Sequence, residues 1–127
     1  MGIFSFLKKA KMSTRPKGIF GVDKELIKKQ WQEVEEQVKL GKPSNLKTAV
    51  VNADKILYFV LEKMGYKGSL GEKLISAQKK FSDYQGVWSA HKLRNRLVHE
   101  IDYEFFINET KEAIQQYQRA LKDLDAL

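Results

Sequence analysis

Apolar residues return every three or four positions along most of this chain. Nowhere do they alternate with period two for long enough to argue a strand. The clearest case is the stretch from about Ser44 to Met64. There Leu46, Ala49, Val50, Ala53, Leu57, Val60 and Leu61 form one stripe. A helix with such a stripe is stable only when that face is buried against other helices. The expected fold class is therefore all-α, an up-and-down helical bundle of four to five helices.

Punctuation residues divide the rest. A first helix starts near Asp23, a good N-cap, and carries Ile27, Trp31, Val34 and Val38 on one face. Gly41-Lys42-Pro43-Ser44 stops it. Gly65 suits the position just past the second helix. Ser69-Leu70-Gly71-Glu72 fits a capping box and opens a third helix, with Leu74, Ile75 and Phe81 as its apolar positions. A fourth spans roughly Gln85 to His99, followed by a break around Glu100-Ile101-Asp102. The last runs to about Leu124, with Thr110, Ala113, Ile114, Tyr117, Ala120, Leu121 and Leu124 on one face.

A chain of 127 residues suits one such domain. Residues 1–22 read as a basic tail and linker, and residues 23–127 as the bundle. The tail holds Lys8, Lys9, Lys11, Arg15 and Lys17 with no acid, so it carries +5 of the net +7 and the body only +2. The charge thus argues a sticky tail more than a polyanion-binding body. Without cysteine, disulfides and zinc–thiolate sites are excluded. Two histidines, His91 and His99, are too few for a His-rich metal site, and no cofactor is expected.

The longest apolar run, Ile56 to Leu61, is far short of the roughly 20 residues a bilayer requires. Gly2 to Leu7 is apolar and lysines follow, the reverse of a signal peptide's order. That order suits a short amphipathic helix on a membrane surface, and more readily a plain disordered or self-packing tail. The expectation is a cytoplasmic protein, with residues 1–11 as a weak contact to the cytoplasmic face of a membrane.

Chemistry concentrates in the fourth helix, at Arg94-Asn95-Arg96-Leu97-Val98-His99. Arginine is a permanent cation with a forked donor set suited to phosphate. Histidine titrates near neutrality and can move protons. With about 100° per residue, Val87, Ala90, Leu93, Leu97 and Val98 share one arc, the core face. His91, Asn95 and His99 lie on the neighbouring polar face, and Arg94 falls on the apolar arc.

An arginine there must snorkel, pair with an acid or meet a second subunit. Asp54, on the flank of the second helix, is the first acid to consider. Arg94 and His99 are about 140° apart on a straight helix. One side chain must reach around, the helix must end before His99, or a second copy must complete the site. The residues alone fit a salt-bridge arginine and a dipole-capping histidine as well as a phosphate-handling pair.

The stretch His91-Lys92-Leu93-Arg94-Asn95-Arg96-Leu97-Val98-His99-Glu100 resembles the signature of HEPN domains. That pattern is an arginine, four to six residues and a histidine, with a polar residue after the arginine. Arg94, Asn95 and His99 match it, and the resemblance covers about residues 23–125. It implies a homodimer with both motifs across one cleft, and metal-independent cleavage of RNA in a toxin, stress or phage-defence setting. By carry-over, His99 would be the acid/base, Arg94 would stabilise charge on the phosphate, and Asn95 would orient His99 or substrate.

Silenced HEPN toxins often carry a tyrosine two residues after the histidine. Here that residue is Ile101, with Tyr103 the nearest tyrosine, so the match stops short of that modification site. No cognate antitoxin is identified by the sequence. Other HEPN domains are non-catalytic binding or dimerisation modules, which is the alternative reading; a third is a plain helical scaffold, which an Arg94 sealed against Asp54 within one chain would favour.

The remaining features read as structure first. Trp31, Trp88, Tyr58, Phe59 and Phe81 have core spacing, with base stacking as the lesser reading. Lys28-Lys29 and Lys79-Lys80 read as solvated faces. Arg96 and Lys92, with His91, are the expected substrate-binding residues beside His99. Ser44 and Ser69 read as caps, and Gly65-x-x-Gly68-x-x-Gly71 as turn chemistry.

Overall fold

A computed structural model of the chain describes residues 19, 21–100, 104 and 107–127. Five α-helices run through these residues: α1 (Val22–Leu40), α2 (Pro43–Lys63), α3 (Leu70–Ser76), α4 (Tyr84–His99) and α5 (Ile107–Asp123). A single 3-10 turn, Gln78–Lys80, joins α3 to α4, and no strand occurs among the described residues. The expected all-α bundle is present. The tail reading for residues 1–18 and the break at Ile101-Asp102 lie outside the described residues.

α2 is the central element and packs on α1, α3, α4 and α5. The reason lies in its sequence: Leu46, Ala49, Val50, Ala53, Ile56, Leu57, Val60 and Leu61 are all buried along it. The small residues Ala49 and Ala53 let neighbours approach, and the branched residues fill the space between. α5 closes the bundle with Ala113, Ile114, Tyr117, Ala120 and Leu121. Ile19, ahead of α1, is buried in the same core.

Helix ends follow from local chemistry. Ser69 Oγ accepts from Glu72 N at 3.2 Å and Ser69 N donates to Glu72 Oε1 at 2.8 Å, the reciprocal bonds of the expected capping box. Gly65, at φ 97°, turns the chain after α2 in a conformation that side chains resist. Asp83 Oδ1 accepts from Gly86 N at 2.9 Å and caps α4.

Four local expectations are corrected. Lys42 is the N-cap of α2 and Pro43 its first residue, so Ser44 lies inside the first turn and is no cap. α1 starts at Val22 with Gly21 as its cap, and Asp23 sits in the first turn, where its charge meets the positive dipole end. Ile75 is exposed, because Leu70 and Leu74 already occupy the buried face of the seven-residue α3. Val98 is 42% exposed; it lies at the edge of the apolar arc in the last turn of α4, where Leu97 holds the core position.

Candidate functional site

The apolar stripe of α2 contains one buried carboxylate, Asp54. An ionised group there is tolerated only if its oxygens are engaged. Three side chains engage it. Tyr117 of α5 donates its hydroxyl to Asp54 Oδ2 at 2.7 Å. His91 Nδ1 lies 2.9 Å from that same oxygen, and Arg94 Nε lies 3.6 Å from Oδ1. Arg94 sits on the apolar arc as the helix geometry requires, and its partner is the acid the sequence suggested.

Tyr117 is a fixed donor in this network. Burial pushes its pKa well above the ordinary tyrosine value, and the charge and hydrogen bond of Asp54 push the same way. Arg94 opposes them weakly. The 2.9 Å contact places Nδ1 against Asp54, and Nε2 is the ring nitrogen that this contact does not use. Trp88 sets its ring edge-on to His91, with centroids 5.9 Å apart, and holds the imidazole from the other side.

His91, Arg94 and Asn95 of α4 line a cleft of about 430 Å³. Asp54, Lys55 and Tyr58 of α2 form the opposite wall, and Ser69, Leu70 and Gly71 close one end. That volume suits a small ligand or one nucleotide. Gly71 matters here: a Cβ at this position would sit 3.2 Å from the Trp88 ring, so the bare backbone lets the start of α3 reach α4.

Arg94 reaches around its helix. Its Nη1 donates to Asn95 Oδ1 at 3.0 Å, which bends the guanidinium from the apolar arc toward the polar face. The side chain remains 25% exposed. Asp54 and Asn95 therefore fix a guanidinium that solvent still reaches.

The expected site residues do not all gather. His99 is exposed at the last position of α4 and is absent from the cleft lining. The helix continues through it, so an early helix end does not bring it to Arg94. Lys92 and Arg96 line a separate groove between α4 and α5, with Glu109 and Glu112 facing them. Arg96 Nη2 lies 3.5 Å from Glu109 Oε2 there. Of the expected substrate-binding residues, only His91 shares the cleft with Arg94 and Asn95.

Two members were missed as site residues. Tyr117 reads as a core tyrosine from its spacing, and Tyr58 as a core aromatic. Trp31 and Phe81 are indeed buried, whereas Tyr58 is 41% exposed on the cleft wall. The available signal was Asp54 itself, a lone acid inside an apolar helical stripe. No three His, Asp or Glu side chains group as metal ligands among the described residues. No described helix is long and apolar enough to cross a membrane. No protein family, curated protein or solved structure matches this chain.

Proposed function

We propose that this chain handles RNA phosphodiesters at the Arg94 cleft and cleaves them without a metal, as a pair of identical copies. One observation carries this reading. Arg94 is held in a cleft by Asp54 at 3.6 Å and Asn95 at 3.0 Å while remaining a quarter exposed. Of the five guanidinium donors, Asn95 takes one hydrogen on Nη1, while Nε faces Asp54 as an ion pair beyond hydrogen-bond distance. The others suit the non-bridging oxygens of a phosphate, whose charge grows during cleavage. Asn95 holds the guanidinium in place. Carry-over from the HEPN pattern assigns proton transfer to His99, which a second copy would have to bring to the cleft. A toxin or defence setting follows by analogy with that family.

The test is cleavage of a mixed-sequence RNA in EDTA by the wild type and Arg94→Ala, both shown folded by circular dichroism. The expected result is cleavage by the wild type and a loss of about 100-fold or more in the variant. Equal cleavage by both, or none by the wild type, overturns the nuclease reading.

A second reading has its own observation. His99 lies apart from the cleft within one chain, and Arg94 already faces Asp54. A non-catalytic RNA-binding or interaction module needs only the fixed cation. It predicts that Arg94→Ala weakens RNA retention and that neither protein yields product. Light scattering of the wild type decides the homodimer.

A further inference from the structure

We propose that His91, and not His99, is the proton-transfer residue that works with Arg94. This assignment rests on the nuclease reading above and replaces its histidine. His91 and Arg94 are three residues apart on α4, so their side chains share one side of the helix. Both line the same cleft, and both contact the same carboxylate, through Oδ2 at 2.9 Å and Oδ1 at 3.6 Å. A base and an anion-stabilising cation are thus registered to each other by one rigid group on the central helix. His99 has no such partner in the cleft lining.

Asp54 does for His91 what a carboxylate does for any histidine base. It accepts from Nδ1, sets the tautomer and leaves Nε2 for the substrate. Tyr117 donates to Asp54 at 2.7 Å and stops that carboxylate from turning. The imidazole is 12% exposed, so it is held by the protein and still opens on the cleft.

The chemistry closes without a further reactant. Nε2 of His91 takes the proton of a ribose 2′-hydroxyl. The 2′-oxygen uses the freed electron pair to form a bond to phosphorus. The bond from phosphorus to the 5′-oxygen breaks, and its electron pair leaves with that oxygen. The imidazolium returns the proton to it. The products are a 2′,3′-cyclic phosphate and a 5′-hydroxyl end, with no net proton change and no oxidation. Arg94 faces the non-bridging oxygens as their charge builds. Tyr58, half-exposed on the opposite wall, has Lys73 Nζ over one ring face at 4.6 Å from its centroid, and its other face would meet the adjoining base.

The experiment compares full-length wild type, His91→Asn and His99→Ala on the same RNA in EDTA. It adds NMR of the wild-type histidines with a 2′-O-methyl oligoribonucleotide, which binds without being cleaved by this route. Cleavage should fall about 100-fold or more in His91→Asn, and by less than about 10-fold in His99→Ala. The methylated strand should move the ring signals of His91, and the free protein should show the Nδ1-protonated tautomer. Cleavage that survives in His91→Asn overturns this assignment and leaves the nuclease standing. So does a bound strand that moves His99 and leaves His91 in place. A wild type with no cleavage sinks the nuclease and this assignment together. The NMR measurement needs no variant, so a misfolded His91→Asn still leaves a decisive result.

Discussion

The bundle buries two opposite charges, and they are satisfied in different ways. Lys73 on α3 is fully enclosed. Its Nζ donates to Glu62 Oε1 at 2.6 Å, to the Tyr66 carbonyl at 3.0 Å and to the Gly68 carbonyl at 2.8 Å. The three ammonium donors have three oxygen partners, and the group is complete. Asp54 on α2 is buried too, but its partners are side chains, and two of them, His91 and Arg94, line a cleft. The Lys73 ammonium has nothing left to offer a ligand. Imidazole and guanidinium do, because each keeps nitrogen valences beyond the one spent on the carboxylate. Lys73 is a clamp that ties α3 to the turn after α2, whereas Asp54 is a mount for groups that line a cleft.

Removing the clamp should have the largest effect on stability. Lys73→Ala deletes three buried methylenes and the ammonium and strands two carbonyls, a loss of about 3 kcal/mol or more. Urea unfolding reads it directly. The variant that remains folded should keep the wild-type His91 tautomer signal. A changed His91 signal with unchanged stability would reverse the assigned roles.

The mount should respond the other way. Tyr117→Phe removes one hydrogen bond to an ionised group and should cost about 2 kcal/mol. Despite the smaller cost, it should disturb the His91 tautomer signal and lower RNA cleavage. An unchanged His91 spectrum would reduce Tyr117 to a core residue.

Alkaline pH gives the smallest and most specific test. The pKa of Tyr117 is raised in the folded protein, chiefly by burial. Its stabilisation is complete below the ordinary tyrosine value and is lost as pH rises toward the native one. Stability should therefore fall above about pH 10, by at most about 1.4 kcal/mol per pH unit from this group. Tyr117→Phe should lack that component, and matching unfolding curves for the two proteins above pH 10 would exclude it.

The clamp's surroundings were legible in part, and of the mount only Arg94 and its first candidate acid, Asp54, for a physical reason. The capping box at Ser69 and the turn at Gly65 depend on residues within three positions of one another, so their chemistry reads directly. Arg94 was legible as an anomaly, because a cation on an apolar arc demands an explanation from helix geometry alone. Its pairing with Asp54 was one candidate among several. Tyr117, 63 residues from Asp54, carries no local sign that its hydroxyl serves anything.

Periodicity and end signals, acting within a few residues, determined that this chain forms helices, where most of them stop and which faces they bury. Only the tertiary structure decided which polar groups meet. It drew His91, Arg94 and Asn95 to the α2 side of α4, placed Lys92 and Arg96 in the groove toward α5, and left His99 exposed at the helix end. A helix presents all of its faces at once, and its own sequence cannot say which neighbour will cover each. That choice belongs to how α2 and α5 dock around it, and with it which histidine shares the cleft with Arg94.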